Sequence, residues 1–332
     1  MIKISDTSRQ PKQEAWMMDR LINERSITLG YSLNTSSFGT YTSALNSYLT
    51  FCNLHRLPVD PTPETLSLYA VFLLTHIKPD SVNSYLSGIC RQLEPFFTEV
   101  RHNRNSMLVS WTMTGCMRRF GTLTKRKAPL SHANLLFILD NMVSSTSHDD
   151  LLFASLVLTG FHALMRLSKL VFPDKKALRN YRKISLCLSV SVLPGQYSFF
   201  LPSHKGDWFF EGNTILIQKL NTPTDPYLPF LRYLASRDAW FPLHLELWFT
   251  SKGSVPTHYW FMSRLRKLFP KEVAGQSMRS GGATSLAESG ADLATIQAVG
   301  WWSSEAFKIY IRKNPVLIHA VIYGHPAHQP LN

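Results

Sequence analysis

A mainly helical chain with one small antiparallel sheet is the fold class this sequence predicts. Three observations predict it. Apolar residues recur at helical spacing in the first part of the chain, most clearly at Phe38, Tyr41, Leu45, Tyr48, Leu49 and Cys52. Period-two alternation is confined to the stretch between Ile184 and Lys219, which is broken by turn residues at Pro194-Gly195 and His204-Lys205-Gly206-Asp207. Between the helical halves, Leu123-Thr124-Lys125-Arg126-Lys127-Ala128-Pro129-Leu130 is basic, contains proline and has no apolar period. The expected organisation is therefore an N-terminal tail over 1–30, a helical unit over 31–122, a basic linker over 123–130 and a larger unit over 131–332.

Each element has its own local reason. Residues 1–30 carry no firm pattern and read as a tail or a loose helix. The face beginning at Phe38 makes the first clear helix. Thr62-Pro63-Glu64 opens a second, with Thr62 as cap and proline in the first turn, and its face is Leu66, Tyr69, Ala70, Leu73 and Leu74. Asp80 or Ser81 opens a third, whose face is Val82, Tyr85, Leu86, Ile89, Leu93 and Phe96. A fourth is expected over Asn105–Phe120. Helices resume near Ser131 with Leu135, Leu136, Ile138 and Leu139, and the most apolar stretch runs from Leu151 to Met165. Strands are expected over Ile184–Val192, Tyr197–Leu201 and Thr214–Lys219, with Lys205 in the turn between the last two. Pro315 is expected to stop a helix that contains Tyr310.

The chain has 332 residues, enough for two units with their own cores, and 45% of them are hydrophobic, which excludes wholesale disorder. Its net charge is +13, a balance that favours nucleic acid as partner. The excess is shared: residues 1–127 hold 15 basic against 9 acidic side chains, and the rest hold 20 against 13. Two basic units suit a protein that grips a duplex from both sides. Cys52, Cys90, Cys116 and Cys187 are far apart and lack zinc-ligand spacing, so no metal is expected, and they read as thiols in a reducing compartment. Met1–Gln13 has no apolar core of the kind a signal peptide needs, and Leu151–Met165 is too short to span a bilayer. A soluble intracellular protein is expected, and Lys125-Arg126-Lys127 is a short candidate signal for the nucleus.

The chemistry concentrates in one run. Gln276-Ser277-Met278-Arg279-Ser280-Gly281-Gly282-Ala283 opens a helix, a second short helix ends at Gly300-Trp301, and Tyr310 follows nine residues after Trp301. Upstream, Leu158-Thr159-Gly160-Phe161-His162-Ala163-Leu164-Met165-Arg166-Leu167-Ser168-Lys169-Leu170 sets an arginine in an apolar stretch that reads as helix. Most isolated arginines are solvated surface charges. The apolar setting of Arg166 argues otherwise.

Together these runs resemble the two arginine boxes and the tyrosine of the tyrosine recombinase (phage integrase-like) family. The resemblance extends from about Phe38 to Tyr323. The N-terminal helices resemble that family's core-binding domain, and Ser81-Val82-Asn83-Ser84-Tyr85-Leu86-Ser87-Gly88-Ile89 looks like versions in eukaryotic mobile elements of the Crypton and DIRS-like types. The resemblance implies a helical core-binding domain ahead of a tyrosine recombinase catalytic domain. It implies strand cleavage of double-stranded DNA without metal or other cofactor. Tyr310 would attack the phosphate, Arg166, Arg279 and Trp301 would hold it, and Lys205 would protonate the leaving oxygen. Such chemistry needs fixed cationic donors on the phosphate oxygens, and arginine binds them in a planar fork. Lys125, Arg126, Lys127 and His204 are the further residues expected at the DNA. The resemblance also implies a tetramer on two duplexes, with the apolar run after Pro315 docked on a neighbouring protomer or sealed against its own domain.

Two positions depart from the family pattern. Gln276 stands where the second box has histidine, and glutamine cannot shuttle a proton. Lys169 stands where the first box has a carboxylate. These departures keep a second reading open, a recombinase-derived DNA-binding protein with impaired catalysis. A type IB topoisomerase fits the N-terminal helices and the Trp301–Tyr310 spacing less well. A purely structural helical protein would leave Arg166, Arg279 and Tyr310 coinciding by chance.

Overall fold

The computed structural model describes residues 14–31, 35–121, 126–142, 145–202, 211–300 and 302. By their contacts, residues Met1–Thr124 and Lys125–Asn332 form two compact units.

The first unit is helical throughout its described residues: α1 Met18–Tyr31, α2 Thr35–Leu54, α3 Pro63–Leu74, α4 Pro79–Leu93, α5 Val100–Arg104 and α6 Met107–Phe120. Thr62 caps α3 as its sequence predicts, accepting from the Thr65 N–H at 3.2 Å, with Pro63 in the first turn. The five apolar residues expected on its face are all buried. They pack with Tyr48, Phe51 and Cys52 of α2 and with Val82, Leu86, Ile89 and Leu93 of α4. Three expectations are corrected here. The third predicted helix opens at Pro79, because proline suits a first helical turn whose N–H groups are unpaired anyway. Phe96 lies beyond that helix, 77% exposed, since α4 ends at Leu93 and the chain turns. The fourth predicted helix starts at Met107, where the Ser106 side chain accepts from Val109 N–H, and the five-residue α5 precedes it.

The second unit holds α7 His132–Met142, α8 His148–His162, strands β1 Ser191–Leu193, β2 Gln196–Leu201 and β3 Asn213–Gln218, then α9 Tyr227–Trp240, α10 His258–Leu268, α11 Gln276–Glu288 and α12 Leu293–Val299. The sheet is antiparallel in the order β1-β2-β3, with Tyr197 opposite Ile217 and Phe199 opposite Ile215. These four side chains share one buried face. Tyr197 stacks on Phe230 of α9 at 3.9 Å between ring centroids, and its hydroxyl hydrogen-bonds Thr159 of α8 at 3.0 Å. The sheet is thereby fixed to the helix that leads to Arg166. Gly195 turns β1 into β2 with φ +80°, as the Pro194-Gly195 pair predicts.

The expected strand over Ile184–Val192 shrinks to Ser191–Leu193. Upstream of it, the backbone bonds elsewhere: Cys187 N–H donates to Leu245 and Leu247 N–H donates to Ser185, at 2.7 and 2.9 Å. Residues Cys187–Ser189 form a 3₁₀ turn. Alternation of apolar and polar residues thus served a segment lying against the 245–247 loop, which satisfies the same backbone groups that a ladder would.

Among the described residues, no helix is long and apolar enough to cross a membrane, and no group of three or more metal-ligating side chains comes together.

Candidate active site

Arg166 does not interrupt a helix, as its setting predicts. α8 ends at His162, four residues earlier. The stop is a Schellman turn: Met165 N–H reaches back to the Gly160 carbonyl and Leu164 N–H to that of Phe161, at 2.9 and 3.2 Å. The turn needs a left-handed residue, and Leu164 takes it with φ +49°. Glycine would be free of strain there; leucine costs about 1–2 kcal/mol. Its fully buried side chain offsets that, packing with Ala283, Ala287, Ile296 and Trp302. The chain then leaves the turn with Arg166 extended, half-buried, at the head of a 3₁₀ turn over Leu167–Lys169. Lys169 N–H donates to the Arg166 carbonyl at 2.8 Å, which closes one 3₁₀ turn between the two cations.

Arg279 lies in the first turn of α11 and is 4% exposed. Its Nη1 donates to the Leu164 carbonyl at 2.8 Å and its Nη2 to the Gly300 carbonyl. One guanidinium therefore ties the turn before Arg166 to the end of α12. Trp302 covers it, with the guanidinium carbon 4.1 Å from the ring centroid.

Small residues permit this approach. Gly282 faces the Phe161 carbonyl so closely that no Cβ fits, and Gly281 faces the backbone of Leu130 in the same way. Gly160 of α8 lies against Met278, and Gly275 against Leu167. The sequence displays three of these glycines within the boxes and Gly275 just before the second, but only the helix crossing reveals what each one touches.

Gln276 is the first residue of α11 and is exposed. The linker residues Arg126 and Lys127 are exposed as well. Lys127 Nζ donates to the Lys271 carbonyl at 2.7 Å, and Ala128 and Leu130 N–H groups donate to Glu272 and Ser277. The end of the linker is thereby laid along the segment leading into α11. Tyr310, Trp301, Lys205, His204 and Lys125 lie outside the described residues.

Sequence reasoning missed a histidine pair beside this site. His162, the last residue of α8, donates from Nε2 to the Thr224 carbonyl at 3.0 Å. His132 hydrogen-bonds the Thr224 hydroxyl through Nδ1 and the Ser285 hydroxyl of α11 through Nε2, at 2.9 and 2.7 Å. Burial is the main reason that the His162 pKa falls to about 4, and neighbouring His132 adds to the fall. His162 is therefore neutral near pH 7. Nothing in the local sequence marks either histidine, because their partners come from distant segments.

No known family model and no curated protein matches this sequence. Solved structures do match. The post-cleavage complex of the XerH site-specific recombinase bound to palindromic difH substrate is 14% identical, with a TM-score of 0.55 over 78% of this chain and 71% of that one. A lambda integrase dimer bound to a COC' core site is 13% identical, with a TM-score of 0.54 over 89% and 94%. A lambda integrase tetramer bound to a Holliday junction is 14% identical, with a TM-score of 0.53 over 88% and 76%. At these identities the likeness is one of fold. The chain has the mainly helical tyrosine recombinase fold, with its small antiparallel sheet.

Proposed function

We propose that this protein is a DNA recombinase of the tyrosine type, which cuts and rejoins strands through a covalent protein–DNA link. The observation that carries the reading is Arg279, a buried arginine joined through the Leu164 carbonyl to the turn that presents Arg166. Supporting it are the fold shared with DNA-bound recombinases and integrases and the net charge of +13. In this reading the Tyr310 hydroxyl loses its proton to solvent and its oxygen bonds to phosphorus. The P–O5′ bond breaks, leaving a 3′-phosphotyrosyl link and a 5′ oxygen that Lys205 protonates. Attack by another strand's 5′ hydroxyl reverses the step, so bond energy is kept and no nucleotide cofactor is needed. Arg166 and Arg279 balance the charge that builds on the non-bridging oxygens, with Trp301 as a further donor. The basic residues Lys125, Arg126, Lys127 and His204 belong to the DNA-facing surface. Assembly as a tetramer on two duplexes, origin in a mobile element of the Crypton or DIRS-like type, and a nuclear location complete the proposal.

Incubation with nicked suicide duplexes tests it. A covalent adduct should form with the wild type and be lost in Tyr310→Phe, which should still bind DNA with similar affinity. Absence of adduct across a library of duplexes would refute the enzymatic reading. A second reading, a DNA-binding protein with impaired catalysis, is favoured by Gln276 at the exposed start of α11 and by Lys169 one turn from Arg166. It predicts salt-sensitive DNA binding without adduct.

A further inference from the structure

We infer that Trp302 is a positioning residue for Arg279. Its catalytic meaning rests on the recombinase reading above, while its contact with Arg279 does not. Trp302 is 7% exposed, and its ring covers the Arg279 guanidinium at 4.1 Å. The ring also lies against Gly300, where a Cβ would collide with it. Gly300 supplies the carbonyl that accepts from Arg279 Nη2. Indole face, Gly300 and guanidinium thus form one packed unit. Its backbone is held in place, because Trp302 N–H donates to the Gln297 carbonyl at 3.2 Å and Gln297 Nε2 donates to the Trp302 carbonyl at 3.0 Å. The ring also packs with Leu164, Ala283, Ala287 and Ile296.

This arrangement does two things. The guanidinium's Nη1 and Nη2 donate to carbonyls from two segments, which fixes it within its plane. An aromatic face stacked on it restrains motion out of that plane, and the cation–π attraction adds to the fixation. Catalysis by fixed charge requires the donor to be in place before charge develops, so a rocking arginine would be a poorer phosphate ligand. Trp302 also stands eight residues before Tyr310 in the chain. The same stacking therefore fixes the residue from which the chain runs on to the proposed nucleophile. Trp302 touches Arg279 rather than the phosphate, which separates its role from the one proposed for Trp301.

Two measurements on the full-length chain test this. The first needs no DNA. Urea midpoints are compared for wild type, Trp302→Leu, Arg279→Met and the double variant, with Trp302→Phe as the variant that keeps an aromatic face. The double variant should shift the midpoint by less than the two single shifts combined, and Trp302→Phe should stay nearer wild type than Trp302→Leu. Additive shifts would overturn the inference. The second compares adduct formation on duplexes carrying either a normal scissile phosphate or a methylphosphonate, whose missing charge lessens the need for an arginine. Trp302→Leu should slow cleavage of the phosphate by about 2- to 30-fold, the range of a cation–π contact, and should slow the methylphosphonate much less. An equal defect on both would overturn the positioning role and leave only packing. Should the wild type cleave neither substrate, the recombinase reading fails, and the urea cycle alone decides whether Trp302 holds Arg279.

Discussion

Replacing Gly282 by alanine adds one methyl group at the crossing of α11 and α8, and its consequence can be worked out from the structure. The new Cβ would lie 3.1 Å from the Phe161 carbonyl carbon, closer still to its oxygen, and 2.5 Å from Leu164 Cδ2. Ordinary carbon–carbon contact needs about 3.5–4.0 Å. The carbonyl is backbone at the end of a helix and cannot turn aside, so α11 must retreat from α8 by about 1 Å. Arg279, three residues earlier on the same helix, reaches the Leu164 carbonyl at 2.8 Å. A retreat of that size carries the bond to or beyond the limit at which it counts as one. Overpacking costs about 1–3 kcal/mol and loss of a charged hydrogen bond about 1.5–3. Alanine in a helix returns about 1 kcal/mol. The net loss is about 1.5–5 kcal/mol, or roughly 3–20 °C in Tm at about 2–4 °C per kcal/mol. Thermal unfolding followed by circular dichroism measures it, and adduct kinetics on a nicked duplex should fall in parallel. Gly115→Ala in α6 is the control, because its Cβ would enter open space and leave this crossing untouched. A Gly282→Ala protein with wild-type Tm and cleavage rate would refute the idea that close approach of α11 to α8 sets Arg279.

Three further outcomes are expected. His162 has a folded pKa of about 4 against 6.5 when unfolded, so the unfolded chain takes up the proton first and stability falls as pH drops from 6.5 towards 4. The contribution approaches about 3 kcal/mol, and His162→Gln should flatten this part of the urea-midpoint profile; an unchanged slope would show that another group is responsible. Gly39→Ala in α2 and Gly115→Ala in α6 place their Cβ in open space, so each should raise stability by about 0.5–1 kcal/mol in chemical denaturation. Gln276→His combined with Lys169→Glu should speed adduct formation on the order of 10²-fold if the two departures impair the site, and a slower double variant would mark them as adaptations.

The local features were legible in the sequence wherever their causes were local. Thr62 and Pro63 mark the start of α3 because cap and first turn are neighbours in the chain. The apolar face of α3 and the turn at Gly195 were readable for the same reason. The segment after Ile184 was misread because alternation states only that two sides differ, and here the partner is the 245–247 loop. Arg166 was placed in a helix because Leu164 is not the glycine that ordinarily signals a left-handed stop. Its tolerance there depends on burial against α11 and Trp302, which no local rule contains.

The sequence by itself determined which residues are proposed for a phosphate site, since charge and donor geometry belong to side-chain type. Tertiary structure alone decided that Arg279 is buried, that it grips carbonyls from segments 115 residues before it and 21 after it, and that Trp302 rather than solvent lies on its face. The physical reason is range. Caps and periodicities act over one or two helical turns, whereas a buried guanidinium is held by whatever carbonyls and rings the whole fold brings within a few ångströms.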